Sequence, residues 1–165
     1  MRMIGFIGSS GSGKTTLITH VLPRLRERGF SVSTIKHAHH GFDIDRPGKD
    51  SFRHREAGAR EVMLVTEGRW ALLHEAAAGD DMSLAALAGR MAPVDFLLVE
   101  GFNLARIPKI EVFRPSLGKR PYFADDPGIV AVASDEALET GGAAWLPLND
   151  PERVAAFIVA CGVAA

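Results

Sequence analysis

The chain has 165 residues, 47% of them hydrophobic and 24% charged, and its formal net charge at pH 7 is −1. This is typical of one globular domain, and the near-neutral charge argues against general binding to nucleic acid. The lone cysteine, Cys161, excludes an intrachain disulfide, and we expect its thiol to be buried. We find no apolar run that suits a signal sequence or membrane span. We therefore predict a single cytoplasmic domain over residues 1–165, with no membrane partner.

The most informative motif is GSSGSGKT at residues 8–15, directly after the apolar run at residues 3–7. It matches the phosphate-binding loop G-x-x-x-x-G-K-[ST], whose glycines let backbone N–H groups converge on an anion at a helix amino terminus. We therefore predict a nucleoside triphosphate site in which Lys14 reaches the β- and γ-phosphates and the Thr15 hydroxyl holds Mg²⁺. The predicted binding residues of this loop are Gly8, Gly11, Ser12, Gly13, Lys14 and Thr15.

The next predicted elements are a helix over residues 13–28, kinked at Pro23, and a strand over residues 31–36. A polar connection over residues 37–50 follows, and connections of this length are usually functional. From Lys36 to Arg60 the chain carries six Lys or Arg, four His and four Asp or Glu. Cationic groups after a strand suit an anionic substrate or a γ-phosphate, although a solvated loop with local ion pairs would have the same composition.

Histidines in this connection also allow a metal hypothesis. His37, His39 and His40 lie close together, but without cysteine they form a weak ligand set. Contact with phosphate, or indirect support of the site, is the better interpretation.

Four further elements are predicted between residues 50 and 95. A short helix spans residues 51–58 with Asp50 as its N-cap, and two tightly joined strands span residues 61–66 and 70–74. A helix follows over residues 83–91.

Residues 95–100 are apolar between charged ends, as in a strand buried on both faces of a parallel sheet. Glu100 lies at its carboxyl end, where an acidic residue beside a phosphate loop orients Mg²⁺ or a metal-bound water against Thr15. Asp95 lies at the opposite end, about 17 Å away at about 3.3 Å per residue. Glu100 is therefore the predicted metal residue and, with Lys14, a predicted catalytic residue; its alternative is an ordinary loop start.

The last predicted elements are strands over residues 109–114, 129–133 and 145–148, and a helix that Asp150 caps and Pro151 begins. Asp135 follows a strand and is the candidate acceptor for guanine N1–H and N2–H; the pair Asn149 and Asp150 is a second candidate. Each could equally cap a helix. The alternation of elements predicts an α/β fold of the P-loop NTPase class, with a mainly parallel sheet and helices on both faces in three α/β/α layers.

Three blocks together resemble the MobB family, the molybdopterin-guanine dinucleotide biosynthesis adapters. They are GSSGSGKTTL at residues 8–17, TIKHAHHGFDIDRPGKDSFRHREAGA at residues 34–59, and LLVEGF with PKIEVFR at residues 97–102 and 108–114. The second block is the most diagnostic of them. Two positions depart from the expected pattern: Ser9, where some dimeric relatives carry an extra lysine in the phosphate loop, and Asn103, where we expect lysine in many members.

The resemblance implies a GTP- and Mg²⁺-binding adapter, homodimeric, with feeble hydrolysis. It would act with molybdopterin and the guanylyltransferase that attaches GMP to it. It assigns Thr16, with the loop residues, to the phosphates, and it directs Lys36, His37, Arg53 and Arg55 towards the nucleotide or the pterin precursor.

Two other functions are compatible with the loop. One is a small-molecule kinase using ATP, in which Asp43 or Asp45 takes the acceptor proton. The other is a nickel-type metallochaperone GTPase that uses the histidines.

Overall fold

The computed structural model describes residues 1–38 and 44–161, so His39, His40 and Asp43 lie outside the described residues. The chain divides into two compact units. The sheet unit comprises Met1–His37 and Ala88–Ala165, and the hairpin unit comprises Ala38–Leu87.

The helices and strands agree closely with the predicted elements. The strands are β1 (Arg2–Ile7), β2 (Val32–Lys36), β3 (Glu61–Thr66), β4 (Arg69–His74), β5 (Phe96–Glu100), β6 (Lys109–Phe113), β7 (Ile129–Ser134) and β8 (Ala144–Pro147). The α-helices are α1 (Lys14–Glu27), α2 (Asp50–Glu56), α3 (Leu84–Ala88) and α4 (Pro151–Cys161). Pro23 lies inside α1 without ending it, and α3 is shorter than the helix predicted over residues 83–91.

Six strands of the sheet unit form one parallel sheet in the order β2-β5-β1-β6-β7-β8. β1 is central, and its Gly5 is level with Val99 of β5 and Lys109 of β6. Because all six strands run the same way, their carboxyl ends meet at one edge, where open α/β sheets bind ligands. The fold is thus the predicted α/β fold of the P-loop NTPase class.

One face of the sheet is covered by α1 and α4. The apolar positions of α1, including Leu17, Val21 and Leu25, pack with Ile158 of α4 on alternate residues of the strands, such as Phe6. This recurrence of apolar residues three and four apart is what gives each helix a buried stripe. The opposite face carries a smaller apolar cluster centred on three buried residues, Ile7, Ile129 and Val132.

Helix ends show which local predictions were correct. Asp150 caps α4 as predicted, since its Oδ1 accepts the N–H of Arg153 at 3.0 Å and Pro151 is the first helical residue. Asp50 is not the N-cap of α2; Lys49 takes that position without a side-chain bond, and Asp50 lies in the first turn. Its negative charge there still interacts favourably with the positive amino end of the helix. Cys161, predicted to be buried, is half-buried at the carboxyl end of α4.

Within the hairpin unit, β3 and β4 pair antiparallel and are joined by the two residues Glu67 and Gly68. No helix in the described part of the chain is long and apolar enough to cross a membrane.

Candidate functional site

Five features of the chain lie at the carboxyl ends of neighbouring strands, along one edge of the sheet. In spatial order they are Lys36 of β2, Glu100 of β5, the phosphate loop after β1, Arg114 after β6 and Asp135 after β7. The first two therefore lie on one side of the loop and the last two on the other. The edge has the arrangement expected for a bound ligand that spans several strands.

The phosphate loop depends on glycine at three positions. Gly8, Gly11 and Gly13 have φ values of 139°, 79° and 100°, which are strained for any other residue. At Gly8 a Cβ atom would also lie 2.3 Å from the carbonyl oxygen of Val112 on β6. The glycines therefore allow the loop to turn tightly beside β6 and to enter α1.

The start of α1 has the properties of an anion site. The N-cap residue of α1 is Gly13, which has no side chain to cap the helix, and the N–H groups of a first helical turn have no partner within the helix. Lys14, Thr15 and Thr16 form that turn, and the last two are exposed. These predicted residues thus present backbone donors and hydroxyls at a positive helix end.

Ser12 adds an independent observation. Its side chain is 1% exposed, and its Oγ has no hydrogen-bond partner among the described residues. A buried hydroxyl without a partner is costly in a protein interior. A phosphate oxygen in the loop would supply that partner, so the residues present fit a polyphosphate.

The Lys14 ammonium is folded back onto the loop. Its Nζ donates to the carbonyl oxygens of Gly8 and Ser9 at 2.8 and 2.9 Å. Burial lowers the pKa of Lys14; the negative charge of Glu100 opposes this shift, and the positive charge of Lys36 adds to it. A partly desolvated cation held inside the loop is well prepared to bind phosphate, because less water must be removed from it.

Thr15 and Glu100, 85 positions apart in the chain, are in direct contact. The Thr15 hydroxyl donates to Oε1 of Glu100 at 2.8 Å, and Lys36 Nζ lies 3.3 Å from both oxygens. Hard oxygen donors of this kind suit Mg²⁺, so the two predicted metal residues fit that ion. Among the described residues, no group of three His, Cys, Asp or Glu could hold a metal.

His37 supports the turn after Glu100. Its N–H donates to the carbonyl oxygen of Glu100 at 2.8 Å, and its ring lies edge-on to Phe102 with centroids 5.1 Å apart. Gly101, at φ 92°, passes so close that a Cβ atom would lie 3.2 Å from the His37 carbonyl oxygen. His37 thus supports the turn that follows Glu100.

The predicted base reader, Asp135, has a partner that sequence reasoning did not identify. Arg114 Nη1 lies 2.5 Å from Asp135 Oδ2, and Arg114 Nε donates to the carbonyl oxygen of Ser12 at 3.0 Å. The other base candidate, Asp150, is used to cap α4. Asp135 is therefore the carboxylate that the structure connects to the phosphate loop.

Arg53 and Arg55 belong to the hairpin unit. Arg55 lies between the carboxylates of Asp45 and Glu75, at 3.4 and 2.8 Å, and so holds parts of that unit together. Arg53 is exposed on α2 and lines a cavity of about 330 Å³. Their role towards a nucleotide or pterin stays a prediction.

Comparison with known proteins decides the family. A model described as "Molybdopterin guanine dinucleotide synthesis protein B" (MobB) matches residues 3–135. The chain belongs to the MobB family. The resemblance inferred from the three sequence blocks is thus confirmed, and these blocks all fall inside the matched residues.

Members of the MobB family resemble the chain along most of its length. The molybdopterin-guanine dinucleotide biosynthesis adapter protein of Escherichia coli (strain K12) is 42% identical over 160 residues, which cover 95% of this chain and 91% of that protein. Its Haemophilus influenzae counterpart (strain ATCC 51907 / DSM 11121 / KW20 / Rd) is 38% identical over 156 residues, covering 94% and 86%. A crystal structure of molybdopterin-guanine biosynthesis protein B matches with TM-score 0.75 and 28% identity, over 96% of this chain and 97% of that one.

Arg114 is the site residue that we missed, although a signal for it was present. It ends the PKIEVFR block on which the MobB resemblance partly rests, and it follows the strand next to β1. An arginine directly after a strand that neighbours the phosphate-loop strand could have been proposed from topology, because both strands end at the same edge.

Proposed function

We propose that this MobB family member is a GTP-binding adapter that assists the conversion of molybdopterin to its guanine dinucleotide form. The observation that carries the nucleotide part is the phosphate loop, in which the Ser12 hydroxyl has no hydrogen-bond partner within the described part of the chain and glycine begins the helix. The pathway part rests on family membership and on the adapter names of the relatives from Escherichia coli and Haemophilus influenzae.

In this proposal the phosphates bind to the N–H groups that begin α1, and Lys14 moves from the carbonyl oxygens of Gly8 and Ser9 to the β- and γ-phosphates. Thr15 and Glu100 hold Mg²⁺, which when bound neutralises phosphate charge. Asp135 accepts the N1–H and N2–H of guanine. Each part is supplied by a different strand end of the same sheet.

Hydrolysis by the isolated protein is expected to be slow. Residues 101–103 after Glu100 are Gly, Phe and Asn, and none of them is a glutamine of the kind that orients the attacking water in GTPases. Any arginine that completes the site in trans would come from a partner. Turnover of several per second by the purified protein would contradict the adapter hypothesis.

We further propose that the protein is a homodimer whose partner in the pathway is the guanylyltransferase. Support for self-association comes from the hairpin unit, where apolar side chains of β3 and β4 are exposed. The exposed residues are Met63, Leu64, Val65, Trp70 and Leu72. A two-stranded hairpin is marginal by itself, and a patch of this kind usually marks an interface.

The two rival functions have less support. In the kinase hypothesis Asp45 would be a base, but its side chain is 5% exposed, accepts from Ser51 at 2.7 Å and pairs with Arg55. In the metallochaperone hypothesis the histidines would bind metal, whereas His37 supports the Glu100 turn through its backbone N–H and its ring contact with Phe102.

The proposal is tested by calorimetric titration of the purified protein with GTP and with ATP, each with Mg²⁺. We expect binding with a preference for GTP, and no binding to the Lys14→Ala variant. Preference for ATP would overturn the adapter hypothesis and favour the kinase. Absence of binding to either nucleotide would remove the basis for a nucleotide site.

A further inference from the structure

Arg114 is bonded to both halves of the proposed nucleotide site. Its Nε donates to the Ser12 carbonyl oxygen in the phosphate loop at 3.0 Å, and its Nη1 pairs with Asp135 Oδ2 at 2.5 Å. We propose that Arg114 is a positioning residue for guanine recognition, which holds the Asp135 carboxylate at a set place relative to the phosphate loop. This inference rests on the proposed function, the binding of GTP.

The position of Arg114 in the sheet explains why it can do this. β6 lies between β1, which leads into the phosphate loop, and β7, which leads to Asp135. Two strand spacings, about 10 Å, therefore separate the loop from the base-side carboxylate. Arg114 follows the middle strand, and its planar guanidinium presents several donors in a rigid fork that reaches both neighbours.

The contacts of Arg114 are partly shielded from solvent. The side chains of Arg114 and Asp135 are 33% and 23% exposed, so their pair is partly shielded from water. The guanidinium also lies close to the loop backbone, since a Cβ atom on Gly13 would be 3.7 Å from one of its nitrogens. A charge-assisted bond in such surroundings is stronger than one on an open surface.

Chemistry explains what the pair would select. Guanine presents N1–H and N2–H as adjacent donors, whereas adenine presents an unprotonated N1 that a carboxylate repels. A carboxylate has about four acceptor positions, so the one donor from Arg114 leaves acceptors for both guanine groups. The arginine charge also offsets the repulsion between Asp135 and the nucleotide phosphates.

Two simpler roles for Arg114 must be distinguished from this one. If Arg114 only supports the phosphate loop, its removal weakens the binding of every nucleotide equally. If it only forms a surface ion pair, its removal has little effect on any of them. Only a residue that acts through Asp135 changes the discrimination between nucleotides that differ at the 2-amino group.

The experiment measures dissociation constants for GTP and for inosine triphosphate (ITP), which lacks the 2-amino group, with Mg²⁺ at saturation. The wild type is compared with Arg114→Met, Arg114→Lys, Asp135→Asn and the double variant Arg114→Met/Asp135→Asn. Arg120→Met is the control, because Arg120 also pairs with an aspartate but both side chains are well exposed. Thermal melting of each variant checks that it is folded.

We expect Arg114→Met to weaken GTP binding at least about tenfold and ITP binding less, so that the GTP:ITP ratio falls. Arg114→Lys keeps the positive charge but cannot reach both partners. We therefore expect this variant to restore the affinity for ITP more fully than the GTP:ITP affinity ratio. The double variant should bind GTP no more weakly than Asp135→Asn alone, because both changes act on the same contact between the Asp135 carboxylate and guanine.

Equal losses of affinity for GTP and ITP in Arg114→Met, or additive losses in the double variant, would overturn the inference about Arg114. The proposal that the wild type binds GTP would not be affected by either result. A ratio unchanged in Arg114→Lys would likewise overturn the inference should Arg114→Met fail to fold. A wild-type protein that binds GTP and ITP equally would instead contradict guanine recognition itself, before any variant is considered.

Discussion

At the scale of single residues, the Lys36 ammonium group lies beside the two oxygens of the proposed Mg²⁺ site. Lys36 Nζ lies 3.3 Å from both Thr15 Oγ1 and Glu100 Oε1, the two oxygens that we assign to Mg²⁺. The Lys36 side chain is 59% exposed, so it can leave this place at little cost. We therefore expect the lysine to supply positive charge near the phosphates of a bound nucleotide when Mg²⁺ is absent.

Lys36→Met should make GTP binding more dependent on Mg²⁺. With a chelator present, we expect about a fivefold loss of affinity, the size of about 1 kcal/mol for a charge contact near the surface. With saturating Mg²⁺ the loss should disappear, because the ion supplies the charge. Calorimetry with and without Mg²⁺ measures both values, with Lys119→Met as the exposed control. Equal loss under both conditions would show that Lys36 contacts the phosphates directly.

Arg53 and Arg55 belong to the same sequence block, but Arg53 is exposed whereas Arg55 is held between two carboxylates. Arg53→Ala should leave the dissociation constant for GTP unchanged and lower severalfold the stimulation of guanine dinucleotide formation by the transferase. Arg55→Ala should in addition lower the melting temperature, since Asp45 and Glu75 lose their partner. Calorimetry, a coupled transfer assay and thermal melting test these outcomes. A weaker GTP affinity in Arg53→Ala would assign that residue to the nucleotide site.

At the scale of elements, the amino ends of β2 and β5 are joined by three hydrogen bonds between Ser31 and Asp95. Asp95 Oδ2 accepts from the N–H and the hydroxyl of Ser31 at 2.8 and 2.6 Å, and Ser31 Oγ accepts from the Asp95 N–H at 2.9 Å. The Ser31 side chain, its N–H group and then the charge of Arg2 lower the pKa of Asp95. The edge strand β2 is thus fastened at the end remote from the phosphate loop.

This contact predicts a pH dependence of stability. Because the folded pKa of Asp95 is lowered, its contribution is present above the ordinary aspartate pKa of about 3.9 and is lost as the pH falls through the folded value. Asp95→Asn should therefore melt at a lower temperature than the wild type at pH 6. The difference should shrink steadily below about pH 4, as measured by thermal melting across the range. A constant difference at all pH values would assign the effect to shape rather than charge.

At the scale of the whole molecule, the exposed apolar side chains of β3 and β4 form the surface that we propose as the dimer interface. Val65 and Trp70 face each other across β3 and β4 and are 69% and 65% exposed, which is unusual for such residues in a monomer. A second copy that covers them would bury apolar area and stabilise a strand pair that is marginal when isolated.

Trp70→Glu should convert a dimer into a monomer, because it places a charge in the proposed interface. Sedimentation velocity at equal protein concentrations measures the change. Leu104→Glu is the matched control: Leu104 is 97% exposed and lies in the sheet unit, so that variant should remain dimeric. A monomeric wild type, or a Trp70→Glu variant that stays dimeric, would contradict the proposed interface.

Patterns within the chain were sufficient to predict the helices and strands and the part of the candidate site formed by the phosphate loop and Glu100. The phosphate loop, the start of α1 and the buried strand that ends at Glu100 each carry a local signal, since glycine φ values, helix starts and apolar runs depend on nearby residues. Parallel pairing of β1 and β5 then brings Thr15 and Glu100 to 2.8 Å, as the sequence predicted.

The partners of buried charges were decided only by the tertiary structure. Lys109 and Glu111 alternate on β6 and read as ordinary polar positions, yet they are 5% and 1% exposed. Burial raises the pKa of Glu111, although N–H groups of Tyr122 and Phe123 act against this shift. Lys109 pairs with Asp126 at 2.7 Å.

The same holds for Arg114 and Asp135, which are 21 positions apart in the chain and meet because β6 and β7 are neighbours. By itself the sequence determined the class of fold, the family and the phosphate-loop residues that we propose for nucleotide binding, because those depend on short-range patterns. Which charged side chains meet depends on strand order, and only the folded sheet specifies that.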